Sequence, residues 1–266
     1  MTLLEAHDLS YSAEASPLVQ SANLSLTPGT LTALIGPNGA GKTTFLRLIM
    51  GLLKADRGHA AIEGSDIASL SPIERARKIA YLPQTRPLAW PQPVRDLVAL
   101  GRFAYGAAPD RLSDTDKQAI ARALTACNLD GFENRPADTL SGGELSRVHL
   151  ARALAAETPV LVADEPVAAL DPRHQHEVLS LFKRATTDGR AVLCVIHDLA
   201  LAARYCDRIV WMKEGQIVAE GSPADTLTPE RLSDVFGIEA RVDRTAQGAV
   251  KLHIEGPAGD MVKRHI

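Results

Sequence analysis

The amino-acid sequence predicts an α/β fold, with a mixed central sheet that is parallel at its centre, an antiparallel β flank and a helical insertion. Strand-like runs such as "VLVAD" and "AVLCVIH" alternate with helical patterns. Short β-rich segments dominate the first sixty residues, and from about Gln84 to Leu140 the strands stop. At 266 residues the chain is long enough to bury a full-sized core as one large domain, or as one domain with an appended lobe.

Taken in order, "LLEAHDLSY" and "HAAIEG" supply the β flank, and "LTALI" is an apolar strand running into a glycine-rich loop. The helical pattern "TTFLRLIMGLL" leaves that loop, with Phe45, Ile49 and Leu52 or Leu53 at helical spacing. Inside the insertion, "PVRDLVALGRF" and "SDTDKQAIARALTACNL" read as helices, the second with Ser113 as N-cap. "TLSGGELSRVHLARALA" carries a third, from the apolar stripe of Leu145, Val148, Ala151 and Leu154, with Arg147 and Arg152 off it. "DRIVWMKEGQIVAEG" is a hairpin around Glu214-Gly215. After Arg241 the pattern weakens. Residues 1–241 are therefore expected to form one domain with the insertion at about 84–140, and 242–266 a C-terminal extension whose end, "EGPAGDMVKRHI", is weakly ordered.

The formal charge of −3, without any long lysine or arginine block, argues against nucleic acid and against an anionic membrane surface as partners. Cys127, Cys194 and Cys206 are odd in number, lack CxxC spacing and sit in apolar segments, so they read as buried reduced thiols. No run of about 18 apolar residues occurs, and the N-terminus carries acids where a signal peptide carries bases. The chain reads as cytoplasmic.

"GPNGAGKTT", comprising Gly36, Pro37, Asn38, Gly39, Ala40, Gly41, Lys42, Thr43 and Thr44, matches G-x-x-x-x-G-K-[ST] between a strand and a helix. This is a P-loop, and it places a P-loop NTPase core in the α/β fold. Backbone donors around Gly39 and Gly41 curl about the β-phosphate, Lys42 neutralises the β/γ oxygens, and the Thr43 hydroxyl suits Mg²⁺. "VLVADEP" ends a buried strand in Asp164 and Glu165, at the sheet edge where ligands gather. Asp164 suits the Mg²⁺ shell and Glu165 a water-activating base, which favours hydrolysis; the alternative is an acid pair that solvates a turn. His197 ends the next strand and reads as a donor to the γ-phosphate or to the Glu165 water network, although a lone histidine is often structural.

Ser141, Gly142 and Gly143, directly before a helix, form a second anion seat, because backbone N–H groups at a helix start are unpaired and partly positive. One chain with two phosphate sites needs an explanation. P-loop, "LSGGE", "VLVADEP", "AALD" and a strand-end histidine, in this order and over nearly the whole chain, resemble the ATP-binding-cassette (ABC) ATPases. That resemblance implies ATP and Mg²⁺ as cofactors and a head-to-tail homodimer, in which the seat of one copy closes over the γ-phosphate held in the P-loop of the other. It also implies that Tyr11 stacks on adenine, where ordinary packing is the alternative. Gln84 would contact Mg²⁺ and the attacking water, and Leu170 and Asp171 would reach across the dimer. Asp171-Pro172 also reads as a helix start. Ala168 and Ala169 stand where many relatives have a serine, and Leu145-Ser146 where glutamine or arginine is common.

Within the family, "VRDLVALGR", "LDPRHQ" and "HDLALAARYCDRIV" look most like the ATPase subunits of bacterial importers for iron–siderophore complexes, haem or vitamin B12. The implied partners are integral-membrane permease subunits and a periplasmic or surface substrate-binding protein, and the implied place is the cytoplasmic face of the cell membrane. The alternative is a soluble ABC ATPase serving metal-cluster assembly or DNA transactions. Leu88, Trp90 and Phe103, set among prolines, offer a groove for a partner helix or simply pack a small lobe. His174 and His176, two apart on a helix, do not share a face and are rejected as a ligand pair.

Overall fold

The computed structural model describes residues 2–14, 16–84, 91–108, 110–168, 170–244 and 250–258. The N-terminal part runs β1 (Leu4–Ala13), β2 (Ser16–Leu26), β3 (Leu31–Ile35), α1 (Lys42–Ile49), β4 (Arg57–Ile62), β5 (Ser65–Asp66), α2 (Pro72–Lys78) and β6 (Ile79–Leu82). The insertion follows with α3 (Val94–Ala99) and α4 (Asp114–Ala126), and α5 (Gly142–Ala155) comes directly after it. The core resumes with β7 (Val160–Ala163), α6 (Pro172–Thr187), β8 (Ala191–Val195), α7 (Leu199–Tyr205), β9 (Arg208–Lys213) and β10 (Gln216–Gly221). The chain closes with α8 (Pro223–Thr226), α9 (Pro229–Phe236), β11 (Ile238–Arg244) and β12 (Val250–Pro257).

The central sheet has the order β10-β9-β3-β8-β7-β6. Its five inner and far strands are parallel, and β10 is added antiparallel through the hairpin at Glu214-Gly215. The strand β8 is buried on both faces, as parallel strands between helical layers must be. Its Val192 and Cys194 feed the core under α5, α6 and α7, whereas Ala191, Leu193 and Val195 feed the core shared with the flank. The flank is the antiparallel sheet β2-β1-β4-β5, and β1 turns Leu4, Ala6 and Leu9 inward onto α1.

In the insertion α3 and α4 both pack on α5. The helix read in "PVRDLVALGRF" is α only to Ala99 and tightens into a 3₁₀ turn over Leu100–Tyr105. Ser113 caps α4 through a reciprocal box with Asp116. Asp116 also accepts Arg102 Nε at 2.9 Å, and this ion pair is buried, at 4 % and 5 % exposure for Arg102 and Asp116. The Arg102 guanidinium lies 3.9 Å from the Tyr105 ring centroid, so the whole turn is tied to α4.

Two expectations change. α5 buries His149, Leu150 and Ala153 as well as Val148, Ala151 and Leu154 of its apolar stripe, because α3, α4 and β6 all pack on it, while Leu145 is half-buried. The C-terminal extension is partly regular: β11 runs across the boundary expected at 241/242 and pairs with β12, which continues to Pro257 inside the expected weak tail. Val242, Val250 and Leu252 pack against the core, while Ile254 stays 62 % exposed, so period-two alternation is too short-lived to read from sequence. All three cysteines are buried and free. Among the described residues no helix is long and apolar enough to cross a membrane.

Candidate active site

The P-loop joins β3 to α1 at the C-terminal edge of the parallel strands. Gly36 lies so close to β9 that a Cβ there would sit 2.0 Å from the Met212 carbonyl oxygen. Gly41 combines a φ of +96° with a Cβ position 2.3 Å from the Leu18 carbonyl, so only glycine fits the bend into α1. Lys42 is buried, and its Nζ donates to the carbonyls of Gly36 and Pro37 at 2.8 Å each. Burial lowers the Lys42 pKa, against the pull of Glu165 and Asp164, which favour its charge. The ammonium is thus fixed inside the loop rather than swinging in solvent.

One residue on, the Thr43 hydroxyl donates to Asp164 Oδ2 at 2.9 Å. Asp164 directly follows β7, is 1 % exposed, and leaves Oδ1 buried without a hydrogen bond. Burial raises its pKa first of all, with Thr43 opposing and Glu165 adding to the rise. A buried carboxylate oxygen lacking a donor is unfavourable unless a cation reaches it. The set of hydroxyl and carboxylate oxygens fits a hard divalent ion such as Mg²⁺.

Glu165 departs from β7 with φ +49°, a left-handed conformation that costs about 1–3 kcal/mol for a non-glycine residue. The turn aims its carboxylate at two neighbours. Gln84 Nε2, just after β6, donates to Oε2 at 2.7 Å, and His197 Nε2, just after β8, lies 2.7 Å from Oε1. Three strand ends therefore meet on one carboxylate. A carboxylate held at both oxygens keeps one orientation, which is what a group must do to act as general base on a water.

Ser141, Gly142 and Gly143, the expected second anion seat, lie apart from the P-loop. Ser141 caps α5, accepting Glu144 N–H at 3.3 Å, while Glu144 returns its carboxylate to Ser141 N–H at 2.8 Å. The Ser141 backbone N–H holds the Glu144 carboxyl below the usual range, and Arg135 lies 3.6 Å away, so the acid in the first turn is neutralised locally. Gly142 and Gly143 are left as the first turn of α5. Gly142, Leu145 and Ser146 share a cavity of about 260 Å³ with Gln84 and Glu165, and none of residues 36–44 lines it. Asp171 caps α6, accepting the His174 backbone N–H at 3.0 Å, with His174 Nδ1 2.6 Å away; the backbone donor lowers the Asp171 pKa most. Tyr11 is half-exposed on β1 opposite Val19 and packs on the core that contains Ala40 and Phe45.

The structure thus brings Lys42, Thr43, Asp164, Glu165, Gln84 and His197 to one sheet edge, and keeps Ser141, Gly142, Gly143 and Asp171 at two helix starts beside it. His174 and His176 go separate ways, to Asp171 and to the Tyr205 hydroxyl. Leu88, Trp90 and Ala169 lie outside the described residues. The Arg102–Asp116 pair was missed from sequence, since nothing in a 14-residue separation announces a buried contact.

The sequence profile of ABC transporters matches residues 19–168. The chain is 41% identical over 251 residues to the hemin import ATP-binding protein HmuV of Rhizobium meliloti (strain 1021), covering 90% of this chain and 93% of that one. Among solved structures, the ADP conformation of MJ1267, an ATP-binding cassette of an ABC transporter, superposes with a TM-score of 0.80 at 26% identity over 89% of this chain and 98% of that one. A dimeric post-hydrolysis state of the ATP-binding cassette MJ0796, bound to ADP and Pi, superposes at 0.71 and 28% identity, over 83% and 99% of the two chains. With more than half of its residues under that profile and the P-loop and the Glu165 clamp on one sheet edge, this chain belongs to the ABC transporter family, as its ATP-binding subunit.

Proposed function

We propose that this protein is the ATP-hydrolysing subunit of a bacterial importer for haem or a related metal chelate. The observation that carries ATP hydrolysis is the clamp of Gln84 and His197 on Glu165, at 2.7 Å on each side, beside the P-loop. Haem as cargo is supported by the likeness to HmuV over nine-tenths of the chain.

The chemistry follows from the residues. The P-loop backbone and Lys42 bind the β/γ-phosphates and offset their charge. Thr43, Asp164 and Gln84 would hold Mg²⁺, which neutralises charge developing on the transferred phosphoryl group when bound. Glu165 takes the proton from the attacking water, and His197 and Gln84 keep its carboxylate turned to that water. Ser141, Gly142 and Gly143 serve the γ-phosphate of a second copy, whose own seat serves this chain. The family resemblance supports this head-to-tail arrangement, which gives each anion seat of the chain a nucleotide, and the dimer of MJ0796 supports the pairing of two copies.

Coupling needs a surface for the permease. The 3₁₀ turn of the insertion exposes Leu100 and Phe103 at i and i+3, which fall on one face of such a turn, at 43 % and 71 %. Ile73 of α2 is also exposed, at 53 %, and Arg77 of the same helix donates to the Ala104 carbonyl at 2.8 Å, which ties α2 to this turn. An apolar patch on a rigid support suits a membrane subunit's helix better than a nucleic acid. Pull-down of tagged protein from a detergent extract tests the reading. A multi-span membrane partner that Phe103→Asp abolishes is the expected result, and a soluble partner alone overturns the importer assignment.

A further inference from the structure

A cavity of about 610 Å³ opens between α5, α6 and the end of α4, away from the P-loop. That size is in the range of small-molecule sites, about 300–1,000 Å³. Cys127, Leu150, Val178 and Leu181 make its apolar floor. The wall is cationic. Arg147 of α5 and Arg184 of α6 both lie near enough to Cys127 to favour its thiolate, although burial prevails and pushes that thiol up to about 12.

Among the described residues Arg147 and Arg184 form no direct ion pair: Glu144, whose charge Arg147 favours, is held by Ser141 with Arg135 at 3.6 Å, and Glu177 on the wall meets Arg173 at 3.0 Å. Arg147 Nη1 donates to the Asn128 carbonyl at 3.0 Å, and its Nε is buried without a hydrogen bond. Arg184 is exposed at the cavity mouth and Arg147 is half-buried beside the end of α4, so two guanidiniums with donors to spare stand over an apolar floor. They are what a flat apolar body bearing two carboxylates requires.

We propose that this cavity binds a tetrapyrrole dicarboxylate, its carboxylates on Arg147 and Arg184 and its ring on Leu150 and Leu181, and that occupancy slows ATP turnover. Gly143 and Leu170 line the same cavity, so a bound ligand touches the α5 start and the segment leading to Asp171. Cargo accumulating inside the cell would then restrain its own import. The regulatory meaning rests on the importer reading; the binding site does not.

The full chain is titrated with metal-free protoporphyrin IX, followed by its own fluorescence, and ATP turnover is measured across the same titration. Saturable binding that Arg184→Glu weakens by about tenfold or more is the expected result, the scale of one lost charge-assisted hydrogen bond. Turnover of the parent chain should fall with occupancy. Ser180→Trp, which fills the cavity without changing its charge, should abolish binding, and circular dichroism shows whether each variant is folded. Binding that both folded variants leave unchanged overturns the site. So does turnover indifferent to occupancy, or displacement by laurate at equal concentration, which would mark a general fatty-acid surface. Absence of chelate transport in reconstituted vesicles would instead sink the importer reading and leave these titrations standing.

Discussion

His197 Nε2 and Gln84 Nε2 hold opposite oxygens of Glu165, each at 2.7 Å, so one carboxylate joins the ends of β6, β7 and β8. Replacing the base while keeping its shape is the direct test. Glu165→Gln should bind ATP as the parent does and hydrolyse it about 10²-fold more slowly or worse, the scale of a lost general base. A closed dimer should accumulate with ATP. His197→Ala should lower turnover at unchanged ATP affinity, because it frees the carboxylate without touching the P-loop. Turnover of Glu165→Gln near the parent rate would remove Glu165 from the mechanism.

Lys42→Ala should act on binding instead. Its ammonium is the fixed cation of the loop and also ties the Gly36 and Pro37 carbonyls together. Calorimetry should record ATP affinity lower by roughly 10–100-fold, as expected for charge-assisted bonds to phosphate. An unchanged dissociation constant would contradict the assignment.

The head-to-tail reading predicts rescue on mixing. Gly142→Asp sets a carboxylate at the anion seat and should block closure by repulsion while each monomer still binds ATP. Mixed with Lys42→Ala chains, it gives heterodimers in which both lesions fall on one composite site and the other is intact. Size-exclusion with ATP in the Glu165→Gln background should therefore show a dimer stabler than either variant forms alone. No recovery from folded proteins would mean that the seat of α5 does not serve a second copy.

The buried pair of Arg102 and Asp116 should govern the insertion's stability. Arg102→Met leaves Asp116 buried without its cation and should cost about 3–5 kcal/mol by urea denaturation. The Ser113 hydroxyl, and then Arg102, hold the Asp116 carboxyl below the usual carboxylate range. A depressed pKa contributes stability above the unfolded value, about 3.9, and that contribution disappears as the pH falls through the lower folded value. Urea midpoints measured from pH 5 down to pH 2 should therefore fall more steeply for the parent than for Asp116→Asn. Parallel slopes would show that the carboxylate is not linked to folding.

What the sequence by itself determined is the set of features written in contiguous residues. The P-loop, the apolar strands β3, β7 and β8 and the caps Ser113 and Asp171 depend on local spacing and local hydrogen bonds. They are legible because a loop that cradles phosphate or a residue that caps a helix acts on neighbours a few positions away. Tertiary structure alone decided the contacts between distant segments. Gln84 meets Glu165 across 81 positions and Thr43 meets Asp164 across 121, because the parallel strands that carry them or lead into them end at one edge of the same sheet. The two-stranded C-terminal sheet, the Arg102–Asp116 pair and the arginines over the α5–α6 cavity belong to the same class. Their energies come from burial and from charges that the fold brings together, and no local pattern of residues encodes either.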